Sequence, residues 1–93
     1  MSTEVKVAEA IRQTRRTLAE KTWVPRMPKY PGEICVIAAV PDWPNKNPDV
    51  RAAFTAVTDV ELLACWNDRQ SNVGAVLGMT LEALIAELCK PTP

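Results

Sequence analysis

An all-α fold, a compact bundle of four to five helices with a proline-rich loop, is predicted by three features of this 93-residue chain. Apolar residues recur at helical spacing near both ends. Asn47-Pro48-Asp49 is a strong helix start: Asn caps, Pro occupies the first position and Asp favours the positive end of the helix dipole. Pro25, Pro28 and Pro31 deny a helix to one basic stretch between these segments.

The first helix is expected to begin near Ser2 or Thr3 and to run to about Lys21. Val7, Ile11 and Leu18 share one face, with Thr14 between them, while Glu9, Arg12, Arg16 and Glu20 lie opposite. Arg15 flanks the apolar stripe, its stem over the seam and its guanidinium in water. Residues 22–33 then form the proline-rich basic loop, which carries Arg26 and Lys29 and is expected to be tied down by Trp23 and Tyr30.

Residues 33–40 suit a strand at Ile34, Val36 and Ile37 and a tightly packed helix at Ala38-Ala39. Without a partner strand in the sequence, a short buried helix is the expectation, because an unpaired strand leaves its backbone groups unsatisfied. Pro41 and Pro44 end it, around Trp43. The helix from Asn47 should bury Val50, Ala53, Phe54 and Val57. Thr58 and Glu61 then read as a capping box for a short turn that places Leu62, Leu63 and Trp66 inward.

From Ser71 onward, Val73, Val76, Leu77, Leu81, Leu84, Ile85 and Leu88 cluster on one side of a single helix, with Thr80 in the stripe. The opposite side carries Gly74, Ala75, Gly78, Met79 and Ala86, with Glu82 as its charge, and is greasier than a surface helix requires. A partner protein or a second copy of the chain is expected there, and Gly78→Glu or Ala86→Glu should release it. Asn67 and Asp68 read as turn formers and caps for this helix. The alternative gives Asn67, Asp68 and Arg69 an exposed recognition corner beside Trp66.

A rival reading breaks the last segment at Gly78-Met79-Thr80 into a helix-turn-helix, the geometry of a small DNA-binding regulator. The chemistry opposes it. The recognition helix would present Leu81, Glu82, Ile85, Ala86 and Glu87, with no Arg, Asn or Gln for base edges and two acids toward phosphate. Arg12, Arg15, Arg16, Arg26 and Lys29 are the better nucleic-acid candidates.

Composition narrows the function classes. The chain has no histidine, which removes the commonest general base and metal ligand, and its three glycines form no phosphate loop. No enzyme, cofactor or metal is expected. Cys35, Cys65 and Cys89 suit neither a disulfide framework nor a zinc site and read as buried free thiols. The net charge is zero, but residues 1–32 hold seven Lys/Arg against three Glu, or +4, and residues 33–93 hold four against eight acids, or −4. The basic part can draw an acidic partner. No apolar run spans a bilayer and no leader is visible, so a cytoplasmic protein of one domain, residues 1–93 with a disordered tail at 91–93, is expected.

Trp23, the step from Gly32 to Cys35 into Ala38-Ala39, and the box Trp66-Asn67-Asp68 before a helix with Val76 and Ala83-Leu84 resemble a family of small proteins of actinobacteria and their phages. The resemblance spans most of the chain, departing where Pro41 ends the Ala-rich step early. It implies no activity, only a phage origin; read with the side-chain inventory, a non-catalytic accessory or regulatory protein acting on a host protein is the expectation.

Overall fold

A computed structural model of the chain describes residues 3–42, 47–60 and 62–89, with the side chains of residues 3–5 left aside. Five helices and one small sheet lie among them: α1 (Thr3–Glu20), β1 (Thr22–Trp23), β2 (Glu33–Ile34), α2 (Val36–Ala39), α3 (Pro48–Thr58), α4 (Leu63–Asp68) and α5 (Val73–Leu88). The fold is broadly all-α, as the periodicity predicts, with a two-stranded sheet added. No described helix is long and apolar enough to cross a membrane.

The core forms where α1 and α5 pack along each other, with α3 against α5, α2 under α1, and α4 joining α2 to α3. Val7, Ile11 and Leu18 bury one face of α1, and Ala8 and Ala10 widen it. Thr14 sits fully buried in that face because its hydroxyl donates to the Ala10 carbonyl (2.8 Å), which satisfies the polar group locally. In α3, Asn47 caps as predicted, its Oδ1 accepting from the Asp49 and Val50 amides. Val50 and Phe54 are wholly buried; a side chain of the size of Phe54 contributes about 1.5–3 kcal/mol when removed from water.

Several expectations need correction. Residues 33–34 are strand, not helix: they pair in parallel with Thr22 and Trp23, in the register Thr22↔Glu33 and Trp23↔Ile34. A two-residue bridge is too short to show a period of two, so its partner was invisible in the sequence. Thr58 ends α3 instead of capping the next helix: its hydroxyl turns back to the Thr55 carbonyl (3.5 Å), Asp59 closes α3 in the left-handed region (φ 54°), and Leu62 precedes α4 without a side-chain cap. Leu62 is exposed, though Leu63 is buried and Trp66 half-buried. The thiols are free, yet Cys65 and Cys89 are exposed and Cys35 half-buried. Trp43, Pro44, Glu61 and the tail at 91–93 lie outside the described residues.

The last helix is uninterrupted from Val73 to Leu88, with no turn at Gly78-Met79-Thr80. Asn72 caps it, accepting from the Ala75 amide at 3.1 Å, so neither Asn67 nor Asp68 has that role. Its buried side differs from the predicted one. Val76, Met79, Thr80, Ala83, Leu84 and Glu87 face the core, while Leu81, Ile85 and Leu88 are 41%, 51% and 57% exposed. The buried arc is turned by about a quarter of a circle from the predicted stripe, at 100° per residue.

Candidate functional site

Asn67 sits in α4 and is 1% exposed. Its Oδ1 accepts the Trp23 indole N–H (2.8 Å) and the Val36 amide (3.0 Å); its Nδ2 donates to the Val24 carbonyl (3.2 Å) and to Asp68 Oδ1 (3.3 Å). A side-chain amide has two acceptor sites and two donor hydrogens, so all four are used. The orientation is fixed by its partners, since an indole N–H only donates and a backbone carbonyl only accepts. The knot joins β1, α4 and the first turn of α2, where the Val36 amide would otherwise lack an acceptor. Cys35 serves the same turn, its Sγ accepting from the Ala38 amide at 3.5 Å.

The proline-rich loop leaves β1 and returns to β2. Its ends are held by backbone bonds from Thr22 to Gly32 (2.8 Å) and from Val24 to Ile34 (2.9 Å). Gly32 makes the return at φ 87°, a conformation that disfavours any residue with a Cβ. Inside the loop the Glu33 carboxylate is the anchor. Arg26 donates to both of its oxygens (3.0 and 2.6 Å), and the Lys29 and Tyr30 amides donate to Oε1 (3.0 and 3.1 Å). The Arg26 guanidinium, and then the Lys29 amide, lower the Glu33 pKa from its ordinary 4.5 to about 2. The same pairing raises the Arg26 pKa. The predicted tie is therefore half right: Trp23 holds the loop, while Tyr30 stands 67% exposed with Arg26 stacked 6.0 Å from its ring centre. Beneath the loop, Met27, Pro28, Ile37, Ala38, Ala64 and Asp68 border a mostly apolar cleft of about 510 Å³.

Leu81, Ile85 and Leu88, continued by half-buried Leu77, form an apolar row along the outer face of α5. Gly74 and Gly78 lie on the same side and add no polar group. Beside the row, Arg12, Arg15, Arg16 and Ala19 of α1 share a concave site of about 360 Å³ with Leu77. Arg12 pairs loosely with Glu9 at 3.5 Å. Arg15 keeps its Nε shut off from water with no acceptor among the described residues.

The predicted site residues thus part into separate places. Asn67, 1% exposed at the wall of the apolar cleft, has its amide taken up in the knot, and Met79, 5% exposed, packs in the core. Trp66 is half-buried against the core, leaving Asp68 and Arg69 exposed from the proposed corner. Gly78, Glu82 and Ala86 are exposed on α5. Of the basic set, Arg12, Arg15 and Arg16 come together on α1, whereas Arg26 is clamped by Glu33 and lines the other cleft, with Lys29 exposed on the loop. The sequence reading missed the exposure of Leu81, Ile85 and Leu88, and it missed Glu33. The only signal for Glu33 was an acid closing a loop with two basic residues. No protein family, curated protein or solved structure matches the chain.

Proposed function

We propose that the chain is a non-catalytic protein-binding module, an accessory or regulatory protein that engages its partner through the outer face of α5. One observation carries the reading: Leu81, Ile85 and Leu88 stand exposed in a row on a helix whose other side already fills the core. Large aliphatic side chains grouped on one face mark interaction sites far more than singly scattered ones do. The inventory of side chains supports binding over turnover, because histidine is absent and the Glu33 carboxylate is neutralised by Arg26. The family resemblance adds a phage origin, and a phage-encoded protein acting on a host protein fits such a module. The helix-turn-helix alternative loses its support, since α5 runs through the residues where the turn would fall.

The test compares the wild-type chain with a Leu81→Gln/Ile85→Gln variant as bait in the source cells, followed by titration of the purified partner. A complex that forms with the wild type and is lost with the variant is the expected result. A partner held equally by both would place the interaction elsewhere and remove the reading.

A further inference from the structure

We propose that the surface formed by the outer face of α5 and the arginines of α1 takes an acidic amphipathic helix of a partner protein, an inference that rests on the protein-binding reading above. Spacing points to a helix. Leu77, Leu81, Ile85 and Leu88 follow one another at intervals of four, four and three residues along α5. At ~1.5 Å per residue this row repeats every ~5.5 Å, the per-turn repeat of a second helix lying alongside. A strand repeats its same-side residues every ~6.6–6.8 Å and drifts out of step by ~3–4 Å over the row.

Charge sets the sign of the partner. Arg12, Arg15 and Arg16 border the Leu77 end of the row, and Glu9 is the carboxylate paired with any of them among the described residues. On the exposed side of α5 itself, Glu82 is the only charged residue. A helix with leucines on one face and Glu or Asp along its flank covers the row and supplies carboxylates to the arginines, in the forked geometry that guanidinium groups favour. A second copy of the chain fits less well. A copy brings only Glu82 from the exposed side of its own α5 to the arginines, where an acidic helix brings a flank of carboxylates.

The experiment uses the full chain and two labelled peptides of about 18 residues, long enough to hold a helix. Both carry leucines at every third or fourth position; their flanks are all Glu in one and all Lys in the other. Fluorescence anisotropy at low salt should show the acidic peptide binding at least about tenfold more tightly than the basic one. Arg12→Glu/Arg16→Glu should cancel or invert that preference, with far-UV circular dichroism confirming the fold, and Leu81→Gln/Ile85→Gln should abolish binding of both peptides. Equal binding of the two peptides, still dependent on Leu81 and Ile85, overturns the acidic assignment and leaves α5 as a docking face. Failure of both peptides overturns the helix assignment, while the bait experiment separately decides whether the face binds protein at all. Self-association in sedimentation velocity that the Leu81→Gln/Ile85→Gln variant removes would assign the face to a second copy. Salt-sensitive binding of duplex DNA through the same arginines, without peptide binding, would assign it to nucleic acid.

Discussion

Around Asn67 a polar side chain is sealed among core elements with every hydrogen-bonding atom used, whereas along α5 three large aliphatic side chains stand about half exposed to water. Both places invert the pattern expected of a small domain. They do so for different reasons. An amide can be buried at little cost when its partners match it atom for atom, and then it acts as a rivet between elements that touch over small areas. Exposed leucines have no such internal compensation. On the reading proposed above, the first inversion belongs to folding and the second to binding, which makes the two separable by mutation.

The largest effect is expected at the knot. Asn67→Leu leaves the Trp23 indole N–H, the Val36 amide and the Val24 carbonyl without partners, at about 1–3 kcal/mol for each group that water cannot reach. The neighbouring cleft admits some water, so about 3 kcal/mol in all is the expected loss, read as a shift of the urea midpoint. Asn67→Asp tests the account more sharply. It keeps both accepted bonds, loses the donation to Val24 and sets a carboxylate against Asp68, so its loss should grow as pH rises through the carboxylate range. A neutral Asn67→Leu would mean that the four bonds carry no net stability.

Next in size is the loop clamp. The folded pKa of Glu33 is about 2, below its ordinary 4.5. Its contribution is therefore fully present above about 4.5 and is lost as pH falls toward about 2. The Lys29 and Tyr30 amide resonances should report that titration, because both amides donate to the carboxylate. Glu33→Gln should abolish the dependence and loosen the loop, seen as faster exchange of those two amides. Unchanged exchange in this variant would show that the backbone bonds at the loop ends hold it unaided.

How far these features were legible in the sequence depended on how local their signals are. The α3 start was readable because Asn47, Pro48 and Asp49 act on their own neighbours. The α1 face was readable because charge and apolar residues separate cleanly along it. In α5 the apolar residues nearly encircle the helix, so periodicity could not choose a face. The core selected the arc in which Val76, Met79 and Leu84 flank small Ala83 and Thr80, whose hydroxyl is satisfied by the Leu77 carbonyl (2.8 Å), and left Leu81, Ile85 and Leu88 outside. The Asn67 knot was not readable at all. Its bonds to Trp23 and Val24 reach across 44 and 43 residues, and the short box gives no sign of which elements it will meet.

A smaller effect of opposite sign is expected at Gly78. The position is helical and exposed, and a Cβ there meets nothing within 4 Å. Gly78→Ala should raise stability by about 0.5–1 kcal/mol through helix propensity. It also lies on the same side as the apolar row, so the added methyl should leave peptide binding within about twofold if the groove is formed by Leu81, Ile85 and Leu88. A large loss of binding would show that the partner packs directly on the glycine backbone.

The smallest effect on stability is expected where the effect on binding is greatest. Ile85 is half exposed, and Gln has at least its helix propensity, so Ile85→Gln should change stability by no more than about 0.5 kcal/mol. In the same variant, binding to the partner or to the acidic peptide should weaken by at least about tenfold, because Ile85 lies in the middle of the row, where a hot spot is best shielded from water. The joint measurement is what decides. A variant that loses stability and binding together would mean that Ile85 belongs to the core, and the contrast between knot and row would collapse. A variant that keeps both would leave the exposed face as an unused surface. Only preserved folding with lost binding assigns the α5 row to recognition.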